Sequence, residues 1–316
     1  MENQTWSGDI LLLEGLKVTP QYSFPVFILL LLLYIFIMVS NIGLTVLICM
    51  ERSLHQPMYL LFCNLSINDV IGATAIIPCL LGNIFTASAN RYISYIECVI
   101  QAFFFHLHIG TSLSVLMIMA YDRHVAICNP LQYSNIMTNK MLLKLSAFAW
   151  GVIIFMVGIL IGLSVRLSRC RITISYPFCD NASLFKLSCD SVLINNIYGL
   201  GYTVVLLGSS LGSTVLTYLK IAIACLTSKN RVLNSRALQT CTTHLALYVI
   251  MMVSGLSSVA LHRFPYLAEK GKVASILIMV VPPALNAVIY GLQIKQIRLK
   301  IVALFYRNKV TLMDMQ

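Results

Sequence analysis

Seven apolar runs, each long enough to cross the roughly 30 Å of hydrocarbon in a bilayer, dominate this chain of 316 residues. They cover 24–50, 57–85, 95–128, 140–163, 195–226, 233–262 and 271–292. The breaks carry charge or turn formers, as in "ERSLHQP", "ASANRYIS" and "EKGK". In lipid each run folds as a helix, because a helix satisfies its own backbone donors and acceptors. Composition points the same way: 59% of the residues are hydrophobic and 10% charged, where a soluble domain carries about 25% charged residues. The expected fold is an all-α membrane protein, a seven-transmembrane helix bundle with its termini on opposite sides. Residues 1–23 are then an amino-terminal segment, 24–292 the bundle and 293–316 a tail. No internal repeat is visible.

The net charge of +11 does not read as a nucleic-acid footprint. The basic residues stand singly at the ends of apolar runs and do not alternate with aromatics. The opening "MENQTWSGDILLLEGLKVTP" lacks the basic region and small-residue site of a cleaved signal peptide, so the first span is expected to act as the insertion signal.

Basic residues set the orientation. Arg52, Arg123, Lys140, Lys144, Lys220, Lys229, Arg231 and Arg236 fall on one side. The tail adds Lys295, Arg298, Lys300, Arg307 and Lys309, and only Glu51, Asp122 and Asp314 oppose them. That side is expected to be cytoplasmic, which puts the amino terminus outside a plasma-membrane protein. The sequons at Asn3 and Asn181 fall on the outer side, and glycosylation is expected at Asn3. Asn64 also begins a sequon, but within a span, where the match is chance. Cys98, Cys170, Cys179 and Cys189 are outer as well. They imply two disulfides, with three connectivities open. The other six of the 10 cysteines read as buried thiols. In "IKQIRLKIVALFYRN", Ile294, Ile297, Ile301 and Leu304 recur at helical spacing. They predict a short amphipathic helix after the seventh span, lying on the inner membrane surface.

An ionisable residue at the bilayer centre costs about 2.5–3.5 kcal/mol on insertion scales and marks a functional position. Asp69, in "NLSINDV", is the clearest, and Asn41 and Asn286 on other spans are placed to reach it. Such a trio is a polar network between helices, or a cation site for sodium if water enters. "MAYDRHVAIC" sets Asp122, Arg123 and His124 at the end of the third span. By position alone Arg123 reads as a side chain snorkelling to the headgroups; taken with the other polar positions it reads as part of a switch.

These motifs resemble the rhodopsin-like G-protein-coupled receptors, and among them the odorant (olfactory) receptor family. "SLHQPMYLLFCNLSINDV" is similar to the family's first inner loop and second helix. "MAYDRHVAICNPLQYSNIM" resembles its third-helix signature, with His124 where Tyr is usual. "RALQTCTTH" at 236–244 and "PPALNAVIY" look like the sixth- and seventh-helix signatures. Three further departures stand out. Ala287 follows Asn286 where Pro is usual, with Pro282 and Pro283 one turn earlier to supply a kink. Ser112 occupies a place where many members carry a second acid, and Ser40 precedes Asn41 in place of Gly.

The resemblance implies a receptor rather than an enzyme, with no cofactor and no metal other than sodium near Asp69. It pairs Cys98 with Cys179 and Cys170 with Cys189. Its partners are a small-molecule odorant, membrane lipid and a heterotrimeric G protein of the stimulatory, olfactory type that raises cyclic AMP. Asp122 and Arg123 would hold the resting state, and an outward swing of the sixth span, which carries His244, would open the inner face. Tyr218 and Tyr290 would partner Arg123 in the active state. The ligand pocket is expected among the third, fifth, sixth and seventh spans. His106 and His108, two residues apart, point to different helix faces, and His106 is the favoured pocket residue. Arg263, counted from His244, falls where the branch shared with fish has an Arg that grips carboxylates, through bidentate pairing. The expected ligand is a small, water-soluble acid on Arg263, its apolar body near Phe104, Ile109 and Val259.

Other classes fare worse. Transporters show repeated halves and broken helices, and channels show pore loops or charge rings. An intramembrane enzyme needs a clustered nucleophile and base or a set of metal ligands. A non-olfactory receptor of the same superfamily, for a hormone or lipid, is the nearer rival, and the signatures disfavour it.

Overall fold

The computed structural model describes residues 9–16, 18–87, 90–227, 241–242, 244–257, 268–293 and 298–299. In chain order the elements are β1 (Ile10–Leu13), α1 (Pro20–Met50), α2 (Pro57–Ile84), β2 (Tyr92–Ser94) and α3 (Tyr95–Cys128). There follow α4 (Tyr133–Ile136), α5 (Asn139–Val165), β3 (Thr173–Ile174), α6 (Asn181–Phe185) and α7 (Leu193–Thr227). The last two are α8 (His244–Ser257) and α9 (Ala268–Gln293). Among the described residues six helices are long and apolar enough to cross a membrane, and α8 is a shorter apolar helix inside the sixth run. The third run and α3 share their boundaries. The first helix begins earlier than its apolar run, because Pro20 stands in its first turn, where a fixed φ and a missing N–H cost nothing.

The central helix is α3, which packs on α2, α5, α6 and α7, while α1 lies outside against α2 and α9. A capping box starts α3: the Glu97 backbone N–H donates to Ser94 Oγ (3.2 Å), and the Ser94 N–H donates to the Glu97 carboxylate (3.0 Å). At the other side of the bundle α1 exposes Leu29, Leu32, Val39 and Val46, an apolar face suited only to lipid. We call the two ends of the bundle the disulfide end, where α3 starts, and the arginine end, where it finishes.

Where α2 and α3 cross, Gly72 permits the contact. A Cβ there would lie 2.5 Å from the His108 ring. Gly72→Ala therefore overpacks the crossing, at a cost of about 1–3 kcal/mol. The purified receptor is expected to melt at lower temperature, and an unchanged midpoint would mean the His108 ring can step aside.

The disulfide end holds the main surprise of the fold. A three-stranded sheet, order β2-β1-β3, joins the amino-terminal segment to two loops. β1 runs antiparallel to β2, with Ile10 opposite Ser94 and Leu12 opposite Tyr92. It runs parallel to β3, with Leu12 opposite Thr173. Leu11 and Leu13 are completely buried beneath it and Ile10 is exposed. The buried Arg91 guanidinium donates to the carbonyls of Glu14 (2.8 Å), Leu16 (3.2 Å) and Thr86 (2.8 Å). Lys272 of α9 pairs with the Glu14 carboxylate at 3.7 Å. Gly15 takes a φ of +66°, and a Cβ there would collide with Arg91, so no other residue suits the turn. Residues 9–16 are thus folded onto the bundle.

Both disulfides implied by the resemblance are present: Cys98–Cys179 with Cα atoms 5.2 Å apart, and Cys170–Cys189 at 5.8 Å. The six remaining cysteines are in no disulfide. Cys63 and Cys241 are buried as expected; Cys49 is exposed, and Cys79, Cys128 and Cys225 are half-buried. The apolar face of a membrane helix does not need protein around it, so a thiol there can face lipid. The expected amphipathic helix (Ile294, Ile297, Ile301, Leu304) lies almost wholly outside the described residues.

Candidate functional site

The arginine end is built on one carboxylate. Asp122 is buried, and the Arg123 guanidinium beside it donates to its Oδ2 through Nε (3.0 Å) and through Nη2. The other oxygen, Oδ1, accepts from the Tyr133 hydroxyl of α4 at 2.8 Å. Burial, then the adjoining Asp122 carboxylate, pushes the Tyr133 hydroxyl above the usual phenol range, so it stays a donor at neutral pH. Sequence reasoning passed over Tyr133; its place in "NPLQYSN", just beyond the third run, was the available signal. Across the same end the Tyr218 hydroxyl of α7 bonds His244 Nδ1 of α8 at 2.5 Å. Tyr218 was expected as a partner of Arg123 in the active state; here it holds α8 against α7. The side chains of Tyr290, Arg263 and Val259, and all of Asn3, lie outside the described residues.

At mid-bundle, Asn286 Nδ2 donates to Asp69 Oδ2 at 2.9 Å, joining α9 to α2. Asn41 makes a different link. Its amide donates to the carbonyl of Ile37 (2.9 Å) and to that of Pro283 in α9 (3.3 Å). A second network was not foreseen: Asn68 Nδ2 donates to Ser112 Oγ (2.8 Å) and to the His108 carbonyl (3.0 Å), with His108 Nδ1 3.1 Å away. His108 is thereby a buried tie between α2 and α3. Asp69 Oδ1, Asn41 Oδ1 and Asn286 Oδ1 are buried and have no hydrogen-bond partner among the described residues. All three are acceptors, so what fits beside them is a donor or a cation. A sodium ion would find one carboxylate and amide oxygens there, with the Ser112 hydroxyl already accepting from Asn68. Among the described residues no three His, Cys, Asp or Glu side chains cluster with metal-binding geometry.

Toward the disulfide end α3 splits the predicted pocket residues between two faces. His106 Nε2 accepts the backbone N–H of Asn181 in α6 (3.2 Å), and the Tyr202 hydroxyl of α7 donates to the His106 carbonyl (3.5 Å). Ile109 packs against an apolar cluster of Ile76 and Leu80 from α2, Phe105 from α3, Phe178 from the loop after β3, and Ile278 and Met279 from α9. The Phe105 and Phe178 rings are 5.1 Å apart. Phe104, one residue earlier, turns instead to a groove between α2 and α3. A missed residue ties this region together: the buried Gln101 accepts from the Cys179 N–H (2.7 Å) and donates to the Ala75 carbonyl (3.1 Å).

The sequon at 181–183 is packed into the same wall. Asn181 is buried, its Oδ1 accepts from Ser164 Oγ at 2.7 Å, and Asp180 caps α6 through Ser183. A glycan on that amide has no room in this fold.

The chain matches the family profile described as "Olfactory receptor" over residues 30–308. It is 35% identical to olfactory receptor 52N5 of Homo sapiens over 287 residues, 88% of this chain and 86% of the relative. It is 32% identical to olfactory receptor 8G1 of Homo sapiens, covering 94% of this chain and 95% of that protein. Olfactory receptor 8G17 of Mus musculus is 32% identical, with 91% and 94% covered. The profile match runs from within α1 to beyond α9, and these relatives match about nine-tenths of the chain, so the chain belongs to the olfactory receptor family.

Proposed function

We propose that this receptor binds a small, carboxylate-bearing odorant at the disulfide end, among α3, α7, α8 and α9, and there favours a state in which α8 swings outward at the arginine end. A heterotrimeric G protein of the stimulatory, olfactory type then docks and cyclic AMP rises. The observation that carries this reading is the division of α3. Its first half meets an aromatic and polar wall (Phe105, His106, Ile109), and its last two turns carry Asp122 and Arg123, which form a closed lock with Tyr133 of α4. The Tyr218–His244 bond is a contact that an outward movement of α8 breaks. A ligand shifts such an equilibrium only by its difference in affinity between the two states.

The basic loops orient the arginine end toward the cytoplasm, which puts the disulfides and β1 outside, in a plasma-membrane receptor with a glycan at Asn3. The oxygens of Asp69, Asn41 and Asn286 that lack a partner among the described residues support a water-bound sodium ion at mid-bundle. The carboxylate preference rests on Arg263 as a bidentate donor.

The test is a panel of short-chain acids and matched alcohols, applied to cells that report cyclic AMP. A charge-assisted pair is worth about 1.5–3 kcal/mol, so Arg263→Ala is expected to weaken acid potency about tenfold or more and leave alcohols nearly unchanged. Equal acid potency in both receptors at matched surface expression ends the carboxylate reading. A calcium response without cyclic AMP would end the choice of G protein.

A further inference from the structure

The groove that takes Phe104 opens on the lipid side of α2 and α3, away from His106 and Ile109. It has a volume of about 960 Å³. Along α2 it is lined from Val70 to Asn83, about 20 Å at 1.5 Å per residue. One leaflet of hydrocarbon is roughly 15 Å deep, so the groove reaches from the headgroup level through most of a leaflet.

The cause of the gap is local. Pro78 lies inside α2 and offers no N–H to the Thr74 carbonyl. The next carbonyl, Ala75, is taken by Gln101 from α3. Thr74, Pro78 and Gly82 form one exposed stripe on α2, where Gly82 adds no side chain and leaves the wall low. Ile100 and Phe104 of α3 make the facing wall.

The mouth of the groove has a definite charge. Glu97 lines it, exposed and held in place by its capping bond to Ser94. Tyr92 beside it is exposed too. Among the described residues no Lys or Arg lines the groove. The chemistry is an apolar trough ending in one carboxylate and one aromatic face, the pair that attracts a quaternary ammonium group.

We propose that this groove seats a choline-headed membrane lipid, one acyl chain lying against Ile100 and Phe104 and the trimethylammonium group between Glu97 and the Tyr92 ring. The site is separate from the odorant chamber, and the proposal needs only that these helices span a membrane.

Two substitutions test it without disturbing the fold. A Cβ at Gly82 meets nothing within 4 Å and any residue but Pro improves helix propensity over Gly, so Gly82→Leu fills the trough. Glu97→Gln keeps a capping-box residue and removes the charge. The purified full-length receptor is placed in nanodiscs carrying a trace of photoreactive phosphatidylcholine, in parallel with photoreactive phosphatidylglycerol and a photoreactive sterol. Cross-linked peptides are read by mass spectrometry. The phosphatidylcholine probe is expected to label residues 97–104 several-fold above the phosphatidylglycerol probe. Gly82→Leu is expected to remove that label, and Glu97→Gln to bring the two headgroups level. Equal labelling by both headgroups in the unaltered receptor overturns the proposal, as does stronger labelling by the sterol or a label that survives Gly82→Leu. Should Gly82→Leu fail to fold, the headgroup comparison with Glu97→Gln still decides. No odorant enters the measurement, so its failure leaves the signalling reading untouched.

Discussion

Replacing Asp122 by Asn is expected to raise ligand-independent cyclic AMP about tenfold at matched surface expression, the effect of shifting a two-state equilibrium by about 1.4 kcal/mol. The carboxylate is buried, and it is the shared acceptor for Arg123 and Tyr133. Removing one partner of a buried ion pair costs about 3–5 kcal/mol. The Arg123 side chain keeps 19% of its surface exposed, so it can turn toward headgroups or water and recover part of that loss. The substituted amide keeps the shape and can still accept one bond from Tyr133, but it no longer holds the guanidinium. The state in which Arg123 is released therefore gains population. Tyr133→Phe removes only a neutral donor, which water replaces, and is expected to act in the same direction by about threefold, well under 1.4 kcal/mol. Basal signal measured against receptor number by flow cytometry separates the outcomes. If both variants sit at the wild-type baseline, the lock does not restrain the receptor.

The second large effect concerns delivery of the protein rather than signalling. Cys98→Ala and Cys179→Ala are each expected to abolish surface display. Their disulfide closes a sequence separation of 81 residues, and the chain-entropy account gives such a crosslink about 4–5 kcal/mol, comparable with the whole stability of many domains. It also anchors the loop whose Cys179 N–H reaches Gln101, so its loss frees the wall formed by Phe178 and Asn181. The Cys170–Cys189 bridge closes a separation of 19 residues and contributes about 3 kcal/mol on the same account. The Cys170→Ala, Cys189→Ala double variant is expected to reach the surface at reduced level. Wild-type display of a receptor lacking Cys98 would show that helix packing alone holds the loop.

How much of this was legible depended on where the information lay. Span length is a local property, and α3 came out with the boundaries read from its apolar run. Cysteine pairing was not legible from spacing; it needed the family signature. The sheet escaped notice for a physical reason. In "ILLL" the buried Leu11 and Leu13 alternate with equally apolar neighbours, so the period of two leaves no trace. Its partners are far away in sequence, and they supply the hydrogen bonds that make the strand. Polar partnerships were half legible. Asp69 and Asn286 meet as expected, whereas Asn41, equally polar, was drawn to a proline-region carbonyl of α9. Composition shows that a buried amide needs a partner; which partner depends on helix rotation. Phe104 and His106 show the same limit, since two residues' separation on α3 sends one to the lipid-side groove and the other to α6.

The strand order β2-β1-β3 has a consequence for the order of assembly. The middle strand is translated first, more than a hundred residues before β3. Until then Leu11 and Leu13 have no complete cover, and the segment carrying them waits at the surface of a half-built bundle. The sheet can close only when four spans are inserted and the loop behind α5 has emerged. Completion of β1 is therefore a late event in biogenesis, and it records that the first and fourth spans have been threaded with the same end of the bundle facing the same compartment.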